Sequence, residues 1–136
     1  MIVNERVVSY INSLDRGNSD ICNIIEKEAI EDQVPIIRKE MGNLLKVLLK
    51  LKQPKSILEV GTAVGYSSIL MSENMPVDCK IVTIENYDKR IPIARNNIKR
   101  AGKEDCIQLI EGDAMEVLKE LEGPFDFIFM DAAKGQ

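Results

Sequence analysis

Apolar residues at Val7, Val8, Ile11 and Leu14 recur at helical spacing and run into Asp15-Arg16-Gly17-Asn18-Ser19, a string of turn formers. The chain is therefore predicted to open with a short helix and a turn. Asp20 is placed to cap a second helix, which carries Ile21, Ile24, Ile25 and Ala29 on one face. Pro35 pushes Val34 out of the helical region and ends that segment. A third helix follows, with Met41, Leu44, Leu45, Leu48 and Leu49 directed inward, and it stops at Gln53-Pro54.

Beyond Pro54 the period changes. Short apolar runs at Ser56–Val60, Lys80–Ile84, Cys106–Ile110 and Phe125–Met130 alternate with amphipathic stretches at Gly65–Asn74, Tyr87–Ala101 and Ala114–Leu121. Such alternation predicts βαβ units and a parallel sheet, so the fold class is α/β. In the middle stretch Tyr87, Ile91, Ala94, Ile98 and Ala101 form one inward stripe. Pro92 lacks a backbone donor, which moves the start of the regular helix to about Ile91. With 136 residues and no internal repeat or flexible linker, the chain reads as one domain.

Composition narrows the chemistry. With 45% hydrophobic and 29% charged residues, the chain is neither disordered nor fibrous. Lys46 and Lys50 cut the longest apolar runs far short of the ~20 residues needed to cross a bilayer. Glu5 and Arg6 stand where a signal peptide would begin its apolar run, so a cytoplasmic protein is expected. Histidine is absent, which removes Ser-His-Asp and Cys-His systems and His-ligated zinc. Cys22, Cys79 and Cys106 are odd in number and widely spaced, and are expected to be buried free thiols. The net charge of −4 argues against binding nucleic acid through bulk positive charge. Basic residues nevertheless cluster in Arg38–Lys55 and Asp88–Lys103, and acids in Glu104–Asp131. Solvated helix faces explain these runs; a polyanion groove is the alternative.

The most informative segment is Leu58-Glu59-Val60-Gly61-Thr62-Ala63-Val64-Gly65-Tyr66-Ser67, between a strand and a helix, where open α/β sheets bind nucleotide-like ligands. Gly61 permits the tight turn, and Gly65 is expected to let the helix start without a Cβ between it and the ligand. Glu59-x-Gly61-x-x-x-Gly65 is not the GxGxxG of a pyrophosphate loop. An acid before the first glycine suits a ligand with an amine or a cationic centre, such as S-adenosylmethionine; a purely structural turn is the alternative. Glu85 closes the second strand 20 residues beyond Gly65, a spacing at which an acid accepts from ribose hydroxyls. Its plainer role is an acid favoured at a helix N-terminus. Asp113, after the third strand, can reach an adenine amine, cap the next helix, or do both.

The chain ends Phe125-Asp126-Phe127-Ile128-Phe129-Met130-Asp131-Ala132-Ala133-Lys134-Gly135-Gln136. With Gly42-Asn43-Leu44-Leu45, the glycine segment, Thr83-Ile84-Glu85, Asn96-Asn97-Ile98 through Ala101-Gly102, and Glu111-Gly112-Asp113-Ala114, it resembles the cation-dependent class I O-methyltransferases. That group includes the catechol and caffeoyl-CoA enzymes, and the likeness is greatest to bacterial members that methylate 5-hydroxyuridine at the tRNA wobble position. The resemblance implies a Rossmann-like class I methyltransferase fold with N-terminal helices over residues 1–53, a cofactor-binding portion over 54–136 and strand order 3-2-1-4. It implies that Ile37, Glu59, Gly61, Thr62, Gly65, Tyr66, Ser67, Glu85, Asp113, Ala114 and Asp131 bind S-adenosylmethionine. Asp131 matches a ligand of Mg²⁺ or a similar cation, and Lys134 matches the general base of the catechol enzymes.

The family pattern continues with further strands and the remaining metal ligands, so the 136 residues are expected to be a truncated portion in which the fourth strand is an exposed apolar edge. Activity on tRNA is the first expectation, with small catechol-like or hydroxycinnamoyl acceptors second and a non-catalytic cofactor-binding fragment third. A homodimer is expected as well.

Overall fold

The computed structural model describes residues 4–13 and 17–131. Three helices, α1 (Glu5–Ser13), α2 (Asp20–Glu31) and α3 (Lys39–Lys52), precede an alternating series. It runs β1 (Ser56–Val60), α4 (Tyr66–Asn74), β2 (Lys80–Glu85), α5 (Ile91–Arg100), β3 (Ile107–Glu111), α6 (Ala114–Glu120) and β4 (Phe127–Met130). All strand pairs are parallel and the order is β3-β2-β1-β4, as the resemblance implied. No helix of the described residues is long and apolar enough to cross a membrane.

The pleat divides the sheet into two faces. Ile57, Ile81, Ile107 and Leu109 point toward α2, α3, α4 and α5 and build the main core. Leu58, Val60 and Ile84 point the other way, toward Val117 and Leu118 of α6. Between the sheet and the N-terminal helices, α4 is buried from Tyr66 through Ser72, which is why its apolar pattern shows no clear face. On β4, Ile128 and Met130 remain 59% and 66% exposed, and the outer edge has no strand partner among the described residues.

Several boundaries and faces differ from the sequence expectation. Ser19, not Asp20, is the N-cap of α2: extended at φ −63° and ψ 160°, it accepts from the Cys22 amide at 3.2 Å and donates to Glu73. Asp20 becomes the first helical residue, where its charge meets the positive end of the helix. Ser19→Ala is expected to lower stability by about 1 kcal/mol in urea unfolding; an unchanged midpoint would return the cap to Asp20. On α2 the buried positions are Cys22, Ile25 and Ala29, with Ile24 exposed. On α3 they are Gly42, Leu45 and Leu49, whereas Met41, Leu44 and Leu48 are exposed. This helix is apolar around much of its circumference, and closeness decided the face: a Cβ on Gly42 would stand 3.3 Å from Leu70 Cδ1 of α4.

The helix α5 begins at Ile91 with Pro92 in its first turn, as the missing donor required. Strand β4 starts at Phe127 rather than Phe125. The Asp126 carboxylate accepts from the Lys55 and Ser56 amides at 3.0 to 3.2 Å, making a turn where a ladder was expected and holding its pKa below the usual carboxylate value. Cys22 and Cys79 are buried free thiols, pushed by burial to pKa values of about 12 and about 11, and Cys106 is half-buried. Neither buried thiol carries thiolate at neutral pH.

Candidate functional site

Parallel pairing in register brings the carboxyl ends of all four strands to one edge. Val60 lies beside both Ile84 and Met130, and Glu85 beside Glu111. The chain leaving β1 turns over this edge with the Gly61 and Thr62 amides both donating to the Ile84 carbonyl, at 2.9 and 3.2 Å. Three residues of the turn have left-handed φ angles: Gly61 at 101°, Ala63 at 50° and Gly65 at 87°. Left-handed Ala63 is a strained conformation for a residue with a Cβ, and such strain persists only where surrounding bonds fix it.

Glu85 supplies one of those bonds. Its Oε1 accepts from the Ala63 amide at 2.7 Å, and its Oε2 from the Asn86 and Tyr87 amides at 3.0 and 3.2 Å. A single carboxylate thus ties the β1 turn to the β2 turn. It has acceptor capacity left, because two carboxylate oxygens offer about four lone-pair sites. The Glu85 carbonyl also receives the Gly112 amide at 3.0 Å, and the Asp131 amide donates to the Val60 carbonyl at 2.9 Å. Gly61, Glu85, Gly112 and Asp131 therefore gather at the same carboxyl edge of the sheet, the edge at which open α/β sheets have their crevice.

Glu59 sits elsewhere. Strand alternation puts it on the face of Ile57, beneath α4, and it is 0% exposed. Its carboxylate accepts from Ser67, from Ser68 and from Thr83 Oγ1, the last at 2.6 Å, while Thr62 Oγ1 lies 2.6 Å from Thr83 Oγ1. Burial raises its pKa from 4.5 to about 6, against the lowering effect of the three hydroxyls. Both the Glu59 and the Ser67 side chains face inward, and their hydrogen bond pins the start of α4 to the sheet. Thr62 is buried in the same cluster, and Tyr66 directs its hydroxyl to Glu26 of α2 at 2.9 Å. A Cβ on Gly65 would stand 3.6 to 3.8 Å from Ala94 and Ile98 of α5, an ordinary contact distance, so it is the left-handed φ of 87° that requires glycine there.

Asp113 caps α6, accepting from the Met115 and Glu116 amides at 3.0 and 3.3 Å. Ala114, the first residue of that helix, packs on the smaller core, and Ile37 is half-buried against the main one. Asp131 is exposed at the end of β4, its carboxyl pKa raised by partial desolvation. Lys134 lies outside the described residues. Among the described residues no three Cys, Asp or Glu side chains gather as a metal site, and Asp131 by itself does not make one, since Mg²⁺ takes several oxygen ligands. Ser68, Thr83 and Asn97 were not singled out for roles. Thr83 was legible as the register neighbour of Glu59, and Asn97 as a polar residue beside an apolar helical stripe.

Comparison with known proteins agrees with this geometry. The pattern of the O-methyltransferase family matches residues 18–136. The chain is 36% identical over 136 residues to the catechol O-methyltransferase of Niastella koreensis, covering 96% of this chain and 62% of that protein. It is 38% identical over 102 residues to caffeoyl-CoA O-methyltransferase 1 of Eucalyptus globulus, covering 68% of this chain and 40% of that one. The SAH-bound methyltransferase of Podospora anserina superposes with a TM-score of 0.87 at 31% identity, over 97% of this chain and 61% of its own. The chain thus spans less than two thirds of the length of each of these relatives.

Proposed function

The chain belongs to the O-methyltransferase family, and on that premise we propose that its crevice binds S-adenosylmethionine for methyl transfer to a hydroxyl group. The observation that carries the reading is Glu85, an acceptor at the end of β2 with about one lone-pair site still open, beside a strained turn whose Thr62 and Val64 side chains are turned inward. Glu85, Asp113 and Asp131 make the edge acidic, which suits a cationic sulfonium and its amine.

When bound, the cofactor supplies a methyl group on a positively charged sulfur. Transfer breaks that carbon–sulfur bond as the acceptor oxygen forms the new one, so the protein's task is alignment and removal of the hydroxyl proton. We assign the proton to Lys134 and place Asp131 beside the acceptor. Lys134→Met is expected to reduce transfer at least tenfold while leaving S-adenosylhomocysteine affinity unchanged; equal turnover would remove the lysine from the reaction.

For the acceptor we favour a small catechol-like or hydroxycinnamoyl compound, the kind of molecule named for the relatives above. The basic stretches that suggested tRNA are partly neutralised, since Arg95 pairs with Glu111 at 3.0 Å and Arg100 with Glu28 at 2.8 Å. Labelled cofactor offered with a catechol panel and with undermodified tRNA, each with and without Mg²⁺, tests the choice. Label in tRNA alone would restore the wobble-uridine reading.

A further inference from the structure

The Asn96-Asn97 pair belongs to the motifs of the chain, and the cofactor reading leaves it without a role. Asn97 is buried on α5, and its Nδ2 donates to the Val64 carbonyl at 2.7 Å. Val64 stands in the middle of the β1 turn, between left-handed Ala63 and left-handed Gly65. The Asn97 Oδ1 accepts from Arg100 at 2.6 Å, which fixes the orientation of the amide. Arg100 is held in turn by a two-point pair with Glu28 of α2, at 2.8 and 3.0 Å. A relay therefore runs from α2 through α5 to one carbonyl of the turn.

We propose that Asn97 is a positioning residue for the cofactor turn, and that the Glu28–Arg100–Asn97 relay sets the turn's shape from behind. Glu85 grips the turn at the Ala63 amide from the crevice side, and Asn97 grips it at the Val64 carbonyl from the helix side. The two-residue segment Ala63-Val64 is thus held at both ends, at its first amide and its last carbonyl. Loss of the rear grip lets Ala63 relax out of its strained conformation, and the amide that orients the Glu85 carboxylate moves with it. The Val64 carbonyl is also left without its donor in a buried place, which favours rearrangement further.

The inference rests on the proposal that the crevice binds S-adenosylmethionine, and the test separates the two. Affinity for S-adenosylhomocysteine is measured by calorimetry on the full chain, together with amide hydrogen exchange. Asn97→Ala is expected to weaken binding about fivefold. Asn97→Asp keeps the shape and the Arg100 partner but sets an acceptor against the Val64 carbonyl, and is expected to weaken binding at least as much. In both, exchange should quicken at Ala63 to Tyr66 and not at Ile25 or Ile57 in the core, a local signature that general destabilisation would not give. If neither Asn97 variant folds, Arg100→Met decides, with a loss of about threefold expected. No binding by the unaltered chain would overturn the cofactor reading. Binding by that chain with unchanged affinity in the folded Asn97 variants, or in Arg100→Met when they do not fold, would overturn the role of Asn97.

Discussion

Glu85→Ala is expected to weaken S-adenosylhomocysteine binding at least tenfold, the largest effect of any single change in the crevice. Two losses combine. On the proposed reading a ribose hydroxyl loses a charged acceptor, a hydrogen bond that contributes about 1.5 to 3 kcal/mol, and every 1.4 kcal/mol is tenfold in affinity. The turn also loses the bond to the Ala63 amide, so a bound ligand must restore a shape that the free protein now holds ready. Glu85→Gln is no gentler substitute. Both oxygens of Glu85 accept from backbone amides, and an NH₂ group on either side would set donor against donor. Its affinity should fall close to that of the alanine variant. Calorimetry with both variants checks this; wild-type affinity in Glu85→Ala would leave the residue as a tie between two turns and nothing more.

The second large effect concerns Glu59 and stability. Replacement by leucine leaves the Ser67, Ser68 and Thr83 hydroxyls without their acceptor in a buried place, at a cost of about 1 to 3 kcal/mol for each one not re-paired. A total loss of at least ~3 kcal/mol in urea unfolding is expected. Glutamine behaves differently because the hydroxyls can reverse direction around a neutral amide.

It also removes a dependence on pH whose sign follows from the raised pKa. The folded value of about 6 lies above the ordinary 4.5, so folding favours the protonated form. The stabilisation is full below pH 4.5 and is lost as pH rises through 6, by about 2 kcal/mol in all. Relative to wild type, Glu59→Gln should therefore gain about 2 kcal/mol between pH 4.5 and pH 7. A constant difference across that range would show that the three hydroxyls keep Glu59 ionised throughout. Since the carboxylate lies under the turn, the glutamine variant should still bind the cofactor, whereas Glu85→Gln should not bind it well. The contrast between two acids at the same sheet edge is itself a test of which one faces the ligand.

The elements themselves were legible in the sequence. Four strands, the helices between them and the delayed start of α5 at Pro92 follow from local rules, since period, proline chemistry and turn residues act over a few positions. The resemblance added the strand order. The edge at which the strand-end turns gather was also readable, because the carboxyl ends of parallel strands lie together however the helices pack.

Facing directions were not readable in the same way. On α3, Met41, Leu44 and Leu48 fit an apolar stripe as well as Gly42, Leu45 and Leu49 do, and only the approach of α4 to Gly42 separated the two. Glu59 looked like a ligand contact because it stands beside a glycine turn. Only the pleat of β1 and the descent of Ser67 and Ser68 from α4 showed that its carboxylate is also held from inside the fold. Asn97 needed three elements in place before its amide had a meaning, since its partners Val64 and Arg100 are fixed by β1 and α5 and the last is held from α2. The sequence by itself determined the elements, the class of the fold and the edge where chemistry can occur, because those depend on local conformational preference. Tertiary structure alone decided which acid ties the two turns at the sheet edge and which is enclosed by hydroxyls beneath α4, because a side chain's direction is set by what packs against it from elsewhere in the chain.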